Sequence, residues 1–157
     1  MYIETTIVSY LTARPTRDLV RAAEQQITRE WWEGRESFEL FASQLVLDEA
    51  AAGDADAAAR RLITLDEVAL LDTSEEAIRL GHHLVAAGGL PTKAGADALH
   101  IAVAAVHGLD YLLTWNCTHI ANARTRGKIE GLCRGAGYDP PMLCTPMELM
   151  EDDDAVT

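Results

Sequence analysis

From Ala96 to His119 the chain reads ADALHIAVAAVHGLDYLLTWNCTH, and no other stretch constrains its fold as much. An apolar helix carries one acid at its start, Asp97, and stops at His107-Gly108. A short apolar strand, Tyr111-Leu112-Leu113 within Asp110 to Thr114, then ends in the polar cluster Thr114-Trp115-Asn116. Acidic or amide side chains at a helix start and just past a strand's carboxyl end converge where α/β folds place their ligands. Two further acids have comparable settings: Glu4 after Tyr2-Ile3, and Glu49 within SQLVLDEA. Together the four positions have the makings of a carboxylate site for a divalent metal ion.

Strand and helix patterns alternate along the rest of the chain. Ile3 and Ile7 to Tyr10 read as a short buried strand running into a helix start. Residues 17–32 place Leu19, Val20, Ala23, Ile27 and Trp31 on one helical face, which is either core or subunit interface. Phe38 to Phe41 alternates like a strand. Ser43 is an N-cap for a helix running through Glu49 toward Gly53. A helix over Ala55 to Leu65 leads to a strand at Val68 to Leu71. Thr73 with Glu76 forms a capping-box pattern for a helix ending at Gly88-Gly89. GGLPTKAG, residues 88–95, is a loop, and residues 119–134 are helical with a basic cluster. Met142 to Cys144 reads as a last strand, and Thr145-Pro146-Met147-Glu148 as a capped helix opening. Such alternation predicts a parallel sheet flanked by helices.

The 157 residues suit a single domain over residues 1–150, followed by a solvated acidic tail over 151–157 that contains Glu151-Asp152-Asp153-Asp154. No apolar run is long enough for a transmembrane helix. The amino terminus lacks a basic leader and a cleavage site, and Cys117, Cys133 and Cys144 share no CxxC spacing, so reduced thiols in a cytoplasmic protein are expected. The net charge of −12, from 25 acids and 13 bases, argues against a generic nucleic-acid coat. It leaves room for a metal-dependent nuclease, whose ions supply local positive charge. Neither GxGxxG nor GxxxxGK[ST] occurs, which weighs against a nucleotide-binding or flavodoxin-like domain.

The ordered set of motifs resembles the PIN domain, and more closely the VapC-like toxin ribonucleases of bacterial toxin–antitoxin pairs. In YIETTIVSYL, Glu4 holds the first acid position with Thr5-Thr6 behind it. Glu49 follows Ser43 by six residues, as the second family acid follows its serine-like cap. Asp97-Ala98-Leu99-His100-Ile101-Ala102 matches the D-A-x-x-x-A helix start, Thr114-Trp115-Asn116 matches T-x-D, and Thr145 to Leu149 matches a closing T-P-x-E-L. Two departures stand out: Glu4 and Asn116 each occupy a position where the family has aspartate. Glutamate reaches one methylene further. Asparagine offers only a neutral carbonyl oxygen, a weaker ligand for a hard cation.

The resemblance implies a three-layer α/β/α fold with a short central parallel sheet, and hydrolysis of RNA phosphodiester bonds with Mg²⁺ or Mn²⁺. It implies that Glu4, Glu49 and Asp97 are metal ligands and that Asn116 positions water or a carboxylate. It further implies a small antitoxin partner and a homodimer. Lys93, Arg124, Arg126 and Lys128 are candidates for phosphate contacts or are ordinary solvated bases, and Trp115 either stacks on a base or caps the core beside the strand. His100 lies three residues after Asp97 and shares its helix face; with His119 it suggests a histidine–carboxylate metal site, or else a packed, hydrogen-bonded side chain. Asn116 reads equally as a turn residue. The competing function is a PIN-like binding or regulatory module that has lost catalysis.

Overall fold

In the computed structural model, which describes residues 1–150, five short strands form one parallel sheet: β1 Tyr2–Ile3, β2 Phe41–Ser43, β3 Ala69–Leu71, β4 Tyr111–Leu113 and β5 Met142–Cys144. Their order is β3-β2-β1-β4-β5, with Tyr2 opposite both Phe41 and Leu112. The chain first steps outward from β1 to β3, then returns past β1 to β4 and β5. Right-handed crossovers place the helices of these two excursions on opposite faces of the sheet.

The contacts agree with that division. Helices α1 Thr5–Thr12, α2 Leu19–Glu33, α3 Gln44–Ala50 and α4 Ala55–Leu65 pack among themselves. So do α5 Glu75–Ala86, α6 Gly95–Val106 and α7 Ala123–Gly135. The result is a three-layer α/β/α fold. The acidic tail expected over 151–157 lies outside the described residues.

The core sits between the sheet and α6. Tyr2, Ile3, Leu112, Leu113 and Leu143 are fully buried, as are Ile101, Ala102, Val103 and Ala104 of α6. A helix apolar on nearly every side is stable only when enclosed, and its small residues allow close packing against α5. Gly108, at φ 68°, closes α6 in the left-handed region that side-chain-bearing residues rarely adopt. Among the described residues, no helix is long and apolar enough to cross a membrane.

Several expectations are corrected. Ile7 to Tyr10 belong to α1, because β1 ends after two residues and Glu4 caps the helix. The second strand is Phe41–Ser43, not Phe38 to Phe41; Phe38 closes a single 3₁₀ turn over Arg35–Ser37. The cap of α5 is Ser74, whose hydroxyl accepts the Ala77 N–H at 3.2 Å, one residue beyond Thr73. The helix expected over 119–134 begins later, at Ala123 behind the Asn122 cap. On α2, only Trp31 of the expected apolar face is buried, while Leu19 is 86% and Val20 68% exposed. The helix turns Gln25 and Thr28 inward instead, and their hydrogen bonds anchor it (Gln25 donates to the Arg14 carbonyl, and Thr28 accepts the Trp115 indole N–H).

A candidate metal centre at the carboxyl edge of the sheet

Strands β1 and β4 are neighbours although the chain leaves them in opposite directions, so a crevice opens beyond their carboxyl ends. Glu4 stands there directly after β1, its N–H donating to the Leu113 carbonyl of β4 at 3.0 Å. Its side chain is 4% exposed. One oxygen, Oε2, accepts three hydrogen bonds: from the Thr6 N–H at 3.0 Å, from the Thr6 hydroxyl, and from the Thr114 hydroxyl at 2.8 Å. The Thr6 hydroxyl oxygen also accepts the Trp115 N–H at 2.8 Å, and the Thr114 hydroxyl oxygen accepts the Asn116 N–H at 2.9 Å. The two threonines thus join the ends of β1 and β4 through one buried carboxylate and leave its other oxygen, Oε1, without a protein donor among the described residues.

Glu49 reaches the same place from α3. Its Oε1 accepts the Thr5 hydroxyl at 2.8 Å and the His100 Nε2–H at 2.5 Å. Burial opposes its ionised form, but the hydrogen bond from His100, the charge of that ring when protonated, and the Thr5 hydroxyl outweigh it and lower the pKa below the usual 4.5. His100 is fully buried, and its Nδ1 lies 2.7 Å from the Tyr2 hydroxyl, which lies 2.7 Å from the Ser43 hydroxyl. A carboxylate only accepts, so Nε2 carries the hydrogen. In the neutral ring Nδ1 then accepts from the Tyr2 phenol, and Ser43 donates to Tyr2. Burial pushes the phenol's pKa up and keeps that donor in place. Ser43 does occupy the N-cap position of α3, but its hydroxyl serves this chain instead of the helix.

Glu4, Glu49 and His100 each offer a ligand atom within 4.8 Å of the others. Asp97, one turn before His100, stands outside that group; its Oδ2 lies 3.0 Å from His119 Nδ1. Asn116 Oδ1 accepts the His119 N–H at 3.0 Å, which is the turn-forming use of an asparagine. Among the described residues, no lysine or arginine forms an ion pair with Glu4, Glu49 or Asp97. Glu4, a buried acid with no basic partner among the described residues, is costly unless a cation offsets it, and its oxygens and those of Glu49 suit a hard divalent ion.

The four bases expected to meet phosphate are dispersed. Lys93 is exposed in a 3₁₀ turn four residues before Asp97. Arg124 and Lys128 are exposed on α7, and Arg126 lies 3.7 Å from Glu148. Residue patterns gave no sign of how the Tyr2–Ser43 pair orients His100; only the sheet register, which sets Tyr2 beside Phe41, brings them together. His119, read with His100 as a member of a histidine–carboxylate metal site, stands outside the group of Glu4, Glu49 and His100 and lies against Asp97 instead.

Comparison with curated proteins finds no match to this chain. The family model described as PIN domain matches residues 1–116, a span that covers β1 through β4 and includes Glu4, Glu49, Asp97 and Asn116. The chain belongs to the PIN domain family.

Proposed function

We propose that this protein is a metal-dependent endoribonuclease of the toxin type, held in check by a small antitoxin protein. PIN domains are generally metal-dependent nucleases. The observation that carries the reading is the approach of Glu4 and Glu49, two acids 45 positions apart, at the crevice beside His100 and with no lysine or arginine paired to either among the described residues. Glu4, Glu49 and Asp97 would hold one Mg²⁺ or Mn²⁺. That ion supplies Lewis acidity, lowering the pKa of a water and offsetting charge on the scissile phosphate. Glu49, with its lowered pKa, is ionised at neutral pH and serves as a proton acceptor near the attacking water. His119 and Asn116 set the place of Asp97 and of the turn beside it. Lys93, Arg124, Arg126 and Lys128 are proposed phosphate contacts, of which Lys93 is closest in sequence to the acids.

The exposed Leu19, Val20 and Ala23 and the half-buried Ile27, which with Trp115 and Met147 border an open apolar depression of about 440 Å³, support a protein interface for the antitoxin or a second copy. A cytoplasmic location accords with three unpaired thiols. One observation favours the alternative, a binding module without catalysis: the Asn116 oxygen is committed to a turn, so the fourth position adds no charge.

Cleavage of a mixed RNA pool by purified protein in Mn²⁺, Mg²⁺ or EDTA tests the proposal, with Asp97→Asn purified in parallel. Metal-dependent cutting that vanishes in the variant supports the ribonuclease. A folded, antitoxin-free protein that cuts nothing under any ion favours the binding module.

A further inference from the structure

Helix α1 leads away from the crevice, and Tyr10 lies on it one turn beyond Thr6, on the same face. The Tyr10 ring stands 5.9 Å from that of Trp115, tilted by 35°. Trp115 is fixed at two points: its backbone N–H donates to Thr6, the residue that holds Glu4, and its indole N–H donates to Thr28 at 2.8 Å. A preordered aromatic pair is therefore tied, through Thr6, to Glu4.

Beyond the pair, at the end of α1, lies a depression of about 340 Å³ lined by Ser9, Tyr10, Arg14, Thr16, Arg21 and Gln25. Gln25 is 6% exposed, and its amide donates to the Arg14 carbonyl at 3.2 Å, which pins the loop between α1 and α2. Arg14, Arg17 and Arg21 fall within eight residues. Among the described residues, none of the three forms an ion pair, although acids outnumber bases 25 to 13. Six of the other arginines are engaged, Arg35, Arg79, Arg126 and Arg134 with carboxylates and Arg60 and Arg61 with backbone carbonyls, whereas Arg29 and Arg124 stand singly elsewhere in the chain. The nearby Asp18 is occupied as the cap of α2, accepting the Arg21 N–H at 3.0 Å. From Thr6 to Thr12 the helix rises about 9 Å, and Arg14 follows just past its end.

We infer that this strip is a subsite for single-stranded RNA, in which a base stacks on Tyr10 and Trp115 while Arg14 and Arg21 receive the adjoining phosphates. The inference rests on the nuclease reading and adds where the strand lies. Positive charge kept free on so acidic a protein fits a polyanion, and aromatic faces accept any unpaired base. A duplex would hide those base faces.

The test is anisotropy of a labelled single-stranded RNA pool in Ca²⁺, with wild type, the Arg14→Gln/Arg21→Gln double variant, Tyr10→Leu, and Arg79→Gln as a distant control. The double variant is expected to bind at least about tenfold more weakly at low salt, and its log–log salt slope to fall by about 1.4, two phosphates at about 0.7 each. Tyr10→Leu is expected to lose about tenfold with the slope unchanged. Arg79→Gln should bind as wild type, and all variants should keep the wild-type Mn²⁺ affinity and melting temperature. Wild-type affinity in the double variant overturns the inference, as does an equal loss on duplex RNA. Loss of poly-glutamate binding with RNA binding retained also overturns it, assigning the arginines to an acidic protein partner. Metal-dependent cutting by wild type, with the variants binding normally, defeats only the subsite. Arginine-dependent binding without any cutting defeats only the nuclease.

Discussion

Replacing His100 separates two ways a buried histidine can serve a metal centre. The ring is fully buried and both nitrogens are engaged, Nε2 with Glu49 and Nδ1 with Tyr2. Its role is therefore to orient Glu49. In His100→Leu, Glu49 keeps the Thr5 hydroxyl and Tyr2 keeps Ser43; two hydrogen bonds are lost, and the one that bears on the metal is the bond to the charged Glu49 acceptor. Such a bond contributes about 1.5–3 kcal/mol. At roughly 1.4 kcal/mol per factor of ten, that is a 10- to 100-fold loss in Mn²⁺ affinity, the range typical of residues that orient metal ligands. His100→Gln restores an N–H near the position of Nε2 and should recover most of the loss. Tyr2→Phe, which removes the partner of Nδ1, should fall between the two. The assay is titration of Mn²⁺ followed by the EPR signal of the free ion, with melting temperature recorded for each variant. Unchanged affinity in His100→Leu would refute the reasoning, as would a glutamine variant no better than leucine. Direct nitrogen coordination in pulsed EPR of the Mn²⁺-loaded protein would refute it differently, by making His100 a ligand.

Other expectations follow from the same structure. Because the folded pKa of Glu49 lies below its ordinary 4.5, its contribution to stability is present above that value and is lost as pH falls through the lowered one. In metal-free buffer, Glu49→Gln should therefore lose less melting temperature than wild type between about pH 6 and about pH 3. Burial pushes Cys133 up to about 11 and Cys144 up to about 12, whereas Cys117 is exposed. A disulfide reagent should thus modify one thiol in the native protein, slowly because partial desolvation of the sulfur and the nearby Glu24 and Glu148 raise its pKa, and all three in denaturant. Leu113→Ala opens a cavity under the crevice and should cost about 2–5 kcal/mol in urea unfolding. A loss below about 1 kcal/mol would mean that the β4 layer collapses to fill it.

The sequence and the structure agree best where a side chain's role depends on its near neighbours. Helix α4 was legible from Ala55 to Leu65, and β5 from Met142 to Cys144, because composition, spacing and caps act within a few residues. Glu4 stands out as an acid directly after apolar Tyr2-Ile3, whereas Glu49 is told from the adjacent Asp48 by its six-residue distance from Ser43. Partnerships were much less legible. The face of α2 was misread because periodicity reports which residues share a side, not which side meets the core. Two hydrogen bonds, from Gln25 and to Thr28, outweigh the exposure of Leu19 and Val20. The chain of Ser43, Tyr2, His100 and Glu49 joins β2, β1, α6 and α3, so its members are up to 98 positions apart and no local signal links them. Asp97 illustrates the same limit. Its place at the start of α6 was evident, but its pairing with His119 depends on the turn that Asn116 builds after β4. Local pattern thus locates the acids of a crevice site, whereas strand order at the switch point determines what holds each of them. In this protein the threonines, histidines and tyrosine that do the holding are therefore the residues whose substitution tests the site most directly.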